Sequence, residues 1–435
     1  MTDRSMHEVE DPVERAILVG APPPERPREL VDEHLEELEL LTDTAGAEVV
    51  DRVVQRRNSP DPATYIGRGK TEQIRSLASE RDASLIVFDE DLSPTQGTTL
   101  EDEIDVRVMD RTELILDIFS QRAQTAEAKL QVELAQLQYM RPRLKRMWTH
   151  LSRMGGGIGA RGPGEQQIET DRRLIDEKIT KLRNRLDKVA QNRDVQRKAR
   201  RDEFTVALVG YTNAGKSSIL QGLSDDEQFV EDRLFATLDS ATRQVDLGEG
   251  YDALITDTVG FIRKLPHHLV ASFRATLEEV QEADALLHVI DASARNWERQ
   301  VEAVNEVLDD LDTPSGRVIL DFHKIDQLTH AEEAALRKRA AELFGPHVLS
   351  SVHEEDGLED IRRVLRERIR SARPTVEVTF SVKDGERLAE AYREGEVLER
   401  RQEGLQIVLT ARVPENVLGR WRGQDGVKVR RRDAA

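Results

Sequence analysis

The stretch that most constrains this chain is FTVALVGYTNAGKSS, Phe204 to Ser218. Phe204 to Val209 is apolar and partly β-branched, with the length of a buried strand. It runs into Gly210-Tyr211-Thr212-Asn213-Ala214-Gly215-Lys216-Ser217, which fits G-x-x-x-x-G-K-[ST], and a helical spacing of Leu220 and Leu223 follows. Strand, glycine loop and helix in that order is the setting a phosphate-binding loop needs. Backbone N–H groups of the loop and of the first helical turn converge on a polyphosphate, where the helix dipole also favours negative charge. In such a loop Lys216 reaches the β- and γ-phosphates and the Ser217 hydroxyl ligates Mg2+. The expectation is a nucleoside triphosphate site that runs from Gly210 through Ser218.

Motifs further along name the nucleotide and the chemistry. Tyr251 to Ile255 leads into Asp257-Thr258-Val259-Gly260, a D-x-x-G after a strand. Asp257 is placed to hold Mg2+ through a water, and the Gly260 N–H to meet the γ-phosphate. Thr237, in Phe235-Ala-Thr237-Leu-Asp239, lies about midway between the two motifs, where a switch threonine closes over Mg2+ and the γ-phosphate. The catalytic set is then Lys216, Thr237 and Gly260, and the metal set Ser217, Thr237 and Asp257. Val318 to Phe322 is an apolar run before His323-Lys324-Ile325-Asp326. Asp326 accepts from guanine N1 and N2, donors that adenine does not offer, so ATP would leave the carboxylate unpaired. The Lys324 stem covers the base face, and Ser350-Ser351 follows a further strand, with the Ser351 N–H expected to meet guanine O6. The usual pattern here is N-K-x-D, and His323 replaces the asparagine that braces base and loop. Phe261 stands where many GTPases carry a water-orienting glutamine, so intrinsic hydrolysis is expected to be slow and raised by a partner. Asn213 adds the expectation of a K+ beside the β- and γ-phosphates.

The alternation of apolar runs and helical periods divides the chain into four parts. Residues 1–110 read as a small α/β domain, with strands at Ala16 to Gly20, Val49 to Arg56, Ser84 to Phe88 and Val106 to Met109. Ser93 is placed as a helix N-cap with Pro94 at the first helical position. The loop Gly67-Arg-Gly-Lys70 lacks the spacing and the hydroxyl of a second phosphate loop and reads as a strand-to-helix turn. Residues 111–201 read as an antiparallel helical hairpin. Leu130, Leu137 and Leu144 recur at seven with Leu134 between them, and Ile168, Ile175, Leu182 and Val189 recur with Ile179 and Leu186. These are a/d seams of two packing helices. Residues 202–373 carry the nucleotide motifs at the ends of apolar strands that alternate with helices, the rhythm of a doubly wound, mostly parallel sheet. Residues 374–435 read as a small α+β appendage with strands at Thr375 to Val382 and Leu405 to Val413, ending in a basic tail from Lys428 to Arg432.

Charge sharpens the hairpin reading. The net charge is −19, yet the stretch from Arg141 to Arg201 is strongly basic, so the rest of the chain is more acidic than the total shows. The break between the two helical seams holds Gly155-Gly-Gly-Ile-Gly159-Ala-Arg161-Gly-Pro-Gly164-Glu165. Arg141, Arg143, Lys145, Arg146, Arg153 and Arg161 flank it, with Trp148 and His150 among them. Basic side chains beside an aromatic at the end of a rod suit RNA backbone contact and base stacking. A solvated linker whose charge keeps the hairpin soluble accounts for the same residues equally well. Acid excess with arginine preferred over lysine resembles proteins of salt-rich, haloarchaeon-like cytoplasms. The chain has no cysteine, which excludes disulfides, thiolate metal sites and cysteine nucleophiles. No apolar run approaches the roughly 20 residues that span a bilayer. A cytoplasmic monomer is expected.

These segments together resemble the HflX family of translational GTPases. The resemblance rests on YIGRGK at Tyr65 to Lys70, DRTELILDIFSQRAQTAEAKLQVELAQLQY at Asp110 to Tyr139, GGGIGARGPGE at Gly155 to Glu165, GYTNAGKS at Gly210 to Ser217, and DTVGFIRKLPHHLVASFRATLEEV at Asp257 to Val280. It spans roughly Ala16 to Arg373 and covers the appendage least well. It implies a GTPase that binds the large ribosomal subunit and its rRNA through the helical hairpin, with the glycine-rich tip near the peptidyl transferase region. The implied task is splitting, rescue or recycling of ribosomes under control of a GTP-dependent switch. Departures from the family pattern are His323 for asparagine, Ser240-Ala241 where Pro-Thr is usual, and Ser218 for threonine. The alternative is an RNA- or ribosome-binding protein stabilised by GTP with negligible turnover.

Overall fold

A computed structural model describes residues 13–144, 163–199, 203–224, 234–235, 237–264, 279–344, 347–422 and 426–431. Contacts divide the chain into two compact units. The first runs to Lys188 and also takes in Asp232–Leu238 and Lys264–Phe273; the second holds the rest.

The first unit is built on four parallel strands, β1 (Arg15–Gly20), β2 (Glu48–Val54), β3 (Leu85–Phe88) and β4 (Arg107–Asp110), in the order β2-β1-β3-β4. β3 is LIVF and buried at every position, as a strand covered on both faces must be. Helix α1 (Arg28–Thr44) turns Val31, Leu35, Leu38 and Leu41 inward. Helix α2 (Arg68–Arg81) begins at once after Gly67, so the GRGK segment is the first turn of a helix. Ser93 caps α3 (Pro94–Ile104) as read from the sequence, in a capping box closed by Gln96.

The next helix is where the structure departs from the reading. The expected first arm of the hairpin is two helices. Asp110 ends β4 and caps α4 (Arg111–Arg122) by accepting from the Glu113 N–H. α4 buries Leu114, Ile115, Leu116, Ile118 and Phe119, so it belongs to the α/β core. Arg111 is 1% exposed and its guanidinium is held by Asp89, 3.1 Å away, and by Glu37. Only after an extended Ala123 does Thr125 cap α5 (Ala126–Met140), the true first arm. Phe235 sits edge-on to Phe119, centroids 4.7 Å apart, and the Lys264 ammonium donates to the Asp89 carboxylate at 3.0 Å.

α5 packs against α6 (Pro163–Ala199) through Leu134, Ile179 and Leu182, with Leu130, Leu137, Ile175 and Leu186 around them. The two seven-residue seams therefore meet as their spacing implies. Lys178–Glu133 at 2.6 Å and Arg141–Asp176 at 2.5 Å flank the seam. Arg143 is not a solvated charge. It lies 3.6 Å over the Tyr139 ring and donates to the Leu92 carbonyl at 2.7 Å and to Asp110 at 3.2 Å. Lys145, Arg146, Trp148, His150, Arg153, Arg161 and the glycine run from Gly155 lie outside the described residues.

The second unit carries a six-stranded sheet, order β10-β9-β8-β5-β7-β6. Its strands are β5 (Thr205–Gly210), β6 (Ala241–Asp246), β7 (Asp252–Asp257), β8 (Ala285–Asp291), β9 (Val318–His323) and β10 (His347–Leu349). All neighbours are parallel except β6 against β7. Helices α7 (Lys216–Ser224), α8 (Trp297–Asp310), α9 (His330–Phe344) and α10 (Glu359–Ala372) connect or cover them. One face is packed by Ile219, Leu223, Ile361 and Leu365, the other by Val301, Leu336 and Ala340. The carboxyl ends of β5, β7, β8 and β9 lie along one edge, which is where this architecture binds ligands.

The appendage has four antiparallel strands, β11 (Thr375–Ser381), β12 (Glu396–Glu403), β13 (Gln406–Arg412) and β14 (Lys428–Arg431), in the order β12-β13-β11-β14. Helices α11 (Gly385–Glu394) and α12 (Glu415–Arg422) cover it. The expected basic tail is strand β14, registered so that Val429 opposes Val378. The Tyr251 hydroxyl donates to Glu396 at 2.9 Å and Arg373 lies 4.6 Å over the Tyr251 ring, which ties the appendage to the six-stranded sheet. Trp421 is the bulkiest side chain in the core of the appendage, 1% exposed, with its indole N–H on Glu390 at 2.8 Å. Replacing it with alanine should destabilise the appendage by about 3–5 kcal/mol. Limited proteolysis and denaturant unfolding should show the appendage opening first, with nucleotide binding retained.

Candidate nucleotide site

Tight loop geometry brings the phosphate loop and the D-x-x-G segment together. β5 ends at Gly210 and β7 at Asp257, two strands paired side by side. Beyond their ends the Thr212 N–H donates to the Phe261 carbonyl at 2.7 Å and the Phe261 N–H to the Gly210 carbonyl at 3.0 Å. A side chain on Gly260 would strike the Thr212 Cα at 2.7 Å and lie 3.1 Å from the Lys216 ammonium, so this approach needs glycine. Gly215 is the second such place: at φ +102° it faces His323, whose ring a side chain would hit.

Lys216 opens α7 and is buried, folded back onto the carbonyls of Tyr211 at 2.9 Å and Gly210 at 3.3 Å. Burial pushes its ammonium down to about 8; Asp257 works against that and Lys324 with it. A polyphosphate is the ligand that such a concentration of positive charge at a helix start favours. The Ser217 hydroxyl donates to Asp257 at 2.6 Å, and Asp257 is 1% exposed. These hard oxygens, side by side at the ends of β7 and α7, are the donor set that suits Mg2+. Asn213 is exposed, in the left-handed region at φ 61°, and its carbonyl accepts from Lys324 at 2.9 Å. Lys324 also reaches Asp291 at 2.7 Å, so one ammonium spans the phosphate loop and the end of β8.

The side chains of several residues named from sequence have structural partners or positions of their own. Ala214 is part of the hydrophobic core. The Thr258 hydroxyl donates to the Leu208 carbonyl at 2.6 Å, which leaves its side chain a structural role. Ser218 and Val259 are half-buried beside their motifs. Phe261 is 3% exposed and directed into the protein. The Tyr211 hydroxyl accepts from the Arg263 N–H at 2.9 Å. Thr237 lies in the segment Asp232–Leu238 grouped with the first unit.

At the base side, the Ser351 hydroxyl donates to Asp326 at 2.6 Å and so orients that carboxylate. The Ser351 N–H, expected to meet guanine O6, donates to the Gly357 carbonyl at 3.1 Å in the turn that follows. Ser350 is fully buried, with its hydroxyl 2.8 Å from His323 Nδ1 and 2.9 Å from Asp321. Sequence reasoning missed Asp321 and Asp291. An aspartate in the middle of the apolar run Val-Ile-Leu-Asp-Phe was the signal available. Among the described residues, no helix is long and apolar enough to cross a membrane. A cavity of about 520 Å³ lies at the other edge of the sheet, between Phe204, Asp252, Asp284 and the appendage residues Arg393 and Asn416. It is remote from these motifs.

Removing the Lys216 ammonium, as Lys216→Ala, should weaken GTP and GDP binding by about a hundredfold or more, since a charge-assisted phosphate contact is lost. Equilibrium titration with a fluorescent guanine nucleotide measures this.

Comparison with known proteins gives the family. Three family models match in succession: GTP-binding GTPase N-terminal over residues 32–120, GTP-binding GTPase Middle Region over 122–200, and 50S ribosome-binding GTPase over 205–324. The first boundary falls at the end of α4. GTPase HflX of Magnetococcus marinus is 44% identical over 98% of this chain and 99% of its own length. GTPase HflX of Escherichia coli is 47% identical over 69% of this chain and 71% of its own. A solved GTP-binding protein of the archaeon Sulfolobus solfataricus, in complex with GDP, is 24% identical with a TM-score of 0.44, covering 82% of this chain and 98% of that one. This chain belongs to the HflX family of GTPases.

Proposed function

We propose that this GTPase uses its nucleotide state to control binding to the large ribosomal subunit, and acts in ribosome splitting, rescue or recycling. GTP binding and hydrolysis follow from the family. The single observation that carries the ribosomal part is that residues 205–324 match a family model described as 50S ribosome-binding GTPase. The helical hairpin directly upstream supplies the basic arm for rRNA contact, its tip being the glycine-rich segment.

The chain's own residues divide the work. Backbone N–H groups from Gly210 to Ser218 cradle the phosphates, and Lys216 reaches the β- and γ-oxygens. Ser217, Thr237 and, through a water, Asp257 would hold Mg2+, which would supply charge neutralisation on the β- and γ-phosphates. Gly260 meets the γ-phosphate by its N–H, and Thr237 would order over the site in the triphosphate state. Asp326, oriented by Ser351, selects guanine. Phe261 has no group to orient water and is turned into the core, so turnover depends on a group brought by the partner.

Phosphate release should rise at least about tenfold on adding large subunits, in the manner of a partner-completed site. Unchanged release would exclude partner control. Co-sedimentation with large subunits should be strong with a non-hydrolysable GTP analogue and weak with GDP; equal binding would exclude the switch. Asn213, exposed at the loop, is the proposed K+ ligand. Turnover in KCl should then exceed turnover in NaCl at matched ionic strength, and Asn213→Ala should remove the difference.

A further inference from the structure

Asp321 and His323 lie two residues apart on β9, on the face they share with Ile319. Around Asp321 the neighbouring strands place Val289 and Val348 in register, and helix α10 packs Ile361 into the same core cluster. Asp321 is fully buried, and its Oδ1 has no hydrogen-bond partner among the described residues. Its other oxygen bonds the Ser350 hydroxyl, which in turn bonds His323 Nδ1. The far side of the imidazole faces the phosphate loop: a side chain on Gly215 would come within 3.0 Å of Nε2. A carboxyl, a hydroxyl and an imidazole thus form one chain from the core to the nucleotide side of the site.

A hydroxyl has one proton to donate, and that fixes the two arrangements the chain can take. With Asp321 ionised, Ser350 donates to it and His323 Nδ1–H donates to Ser350, which leaves Nε2 bare as an acceptor. One added proton is taken up at Nε2. The Nδ1 proton passes to Ser350 oxygen as the Ser350 proton passes to Asp321. The product is neutral throughout: Asp321 donates to Ser350, Ser350 donates to Nδ1, and Nε2 carries N–H. We propose that Asp321 is a positioning residue that acts through Ser350 on His323, so that one proton turns Nε2 from acceptor to donor and tightens guanine-nucleotide binding. This rests on the reading of His323 and Asp326 as the base side of the site.

The direction follows from the purine. Asp326 takes N1 and N2; the remaining edge of guanine, O6 and N7, holds acceptors only. A donor at Nε2 pairs with that edge and a lone pair opposes it. Burial raises Asp321 to about 7, with the Ser350 hydroxyl pulling it down. Burial and Lys324 lower His323 to about 4, against Asp291 and Asp326, with His353 lowering it further. The neutral arrangement is therefore favoured over an aspartate–imidazolium pair. His288, on the neighbouring strand, is pushed down to about 3 by burial and by Lys216 and does not titrate near neutrality.

The test uses the full chain and a fluorescent GDP. The Lys216 ammonium, pushed down to about 8, titrates in the same range in every variant, so the reading is the difference between profiles. From pH about 6 to pH about 8.5 the affinity of the unmodified protein should fall about fivefold more than that of Asp321→Asn or His323→Asn, the worth of one neutral hydrogen bond. Profiles of equal slope in the unmodified protein and either variant overturn the relay. Absence of GDP binding at every pH would instead overturn the site assignment. Should the variants not fold, nitrogen NMR of the histidine rings in the unmodified protein reads the tautomer directly. His323 should move from Nδ1–H to Nε2–H as pH falls through about 7, and a constant tautomer overturns the proposal. Stability gives a second reading. Asp321 is raised above its unfolded value, so the folded state loses stability as pH rises from that value to about 7. Asp321→Asn should accordingly gain in melting temperature over the unmodified protein at pH about 8 and not at pH about 4.

Discussion

Everything at the nucleotide edge depends on two backbone hydrogen bonds, Thr212 N–H to Phe261 and Phe261 N–H to Gly210. They extend the β5–β7 pairing past the ends of both strands and join the phosphate loop to the segment after Asp257. With that join made, Ser217 and Asp257 are side by side, Gly260 is against Thr212, and Lys216 has no exit except towards the loop carbonyls. Gly260 is a consequence of it, since a side chain there would force the two segments apart, whereas one at Gly215 would strike the His323 ring.

The electrostatics follow from how dry the edge is. Lys216, His288, His323 and Asp321 are all buried, and for each of them burial is the largest influence on titration. The first is a cation held in readiness for an anion and the second is a neutral filler of the sheet. The last two are neighbours whose shifts run in opposite directions, an acid kept protonated longer and a base kept neutral. That pairing gives a physical account of a chain in which histidine replaces the asparagine of N-K-x-D: the replacement comes with a buried acid that governs which way its ring proton points.

Much of this was legible from residues alone. Motif spacing located the phosphate loop, Asp257 and Asp326 because each stands at a strand end, and strand ends are marked by apolar runs. The two helical seams were legible because Leu130 and Leu137, like Ile175 and Leu182, recur at seven, and they pack together with Leu134 and Ile179. What escaped was set by tertiary context. α4 looks like part of the hairpin because its period is helical, and only its burial against the α/β core separates it. β12 was missed because its outward residues are charged and exposed, with no apolar alternation to mark it. β14 reads as a basic tail until its pairing with β11 is seen. The use of the Ser351 N–H by Gly357 is a property of a turn, which motif matching does not resolve.

Arg143 has a mechanical consequence. It stands in the sequence among the basic residues that flank the glycine-rich break, yet its guanidinium stacks on Tyr139, bonds the Leu92 carbonyl and meets Asp110, the residue that both ends β4 and caps α4. The C-terminal end of α5 is thus tied to the carboxyl edge of the four-stranded sheet. Bending at that joint would break a ring contact and two charge-assisted bonds together. The four-stranded sheet thereby holds the far end of the first arm, and the chain leaves for the glycine-rich segment from an anchored point.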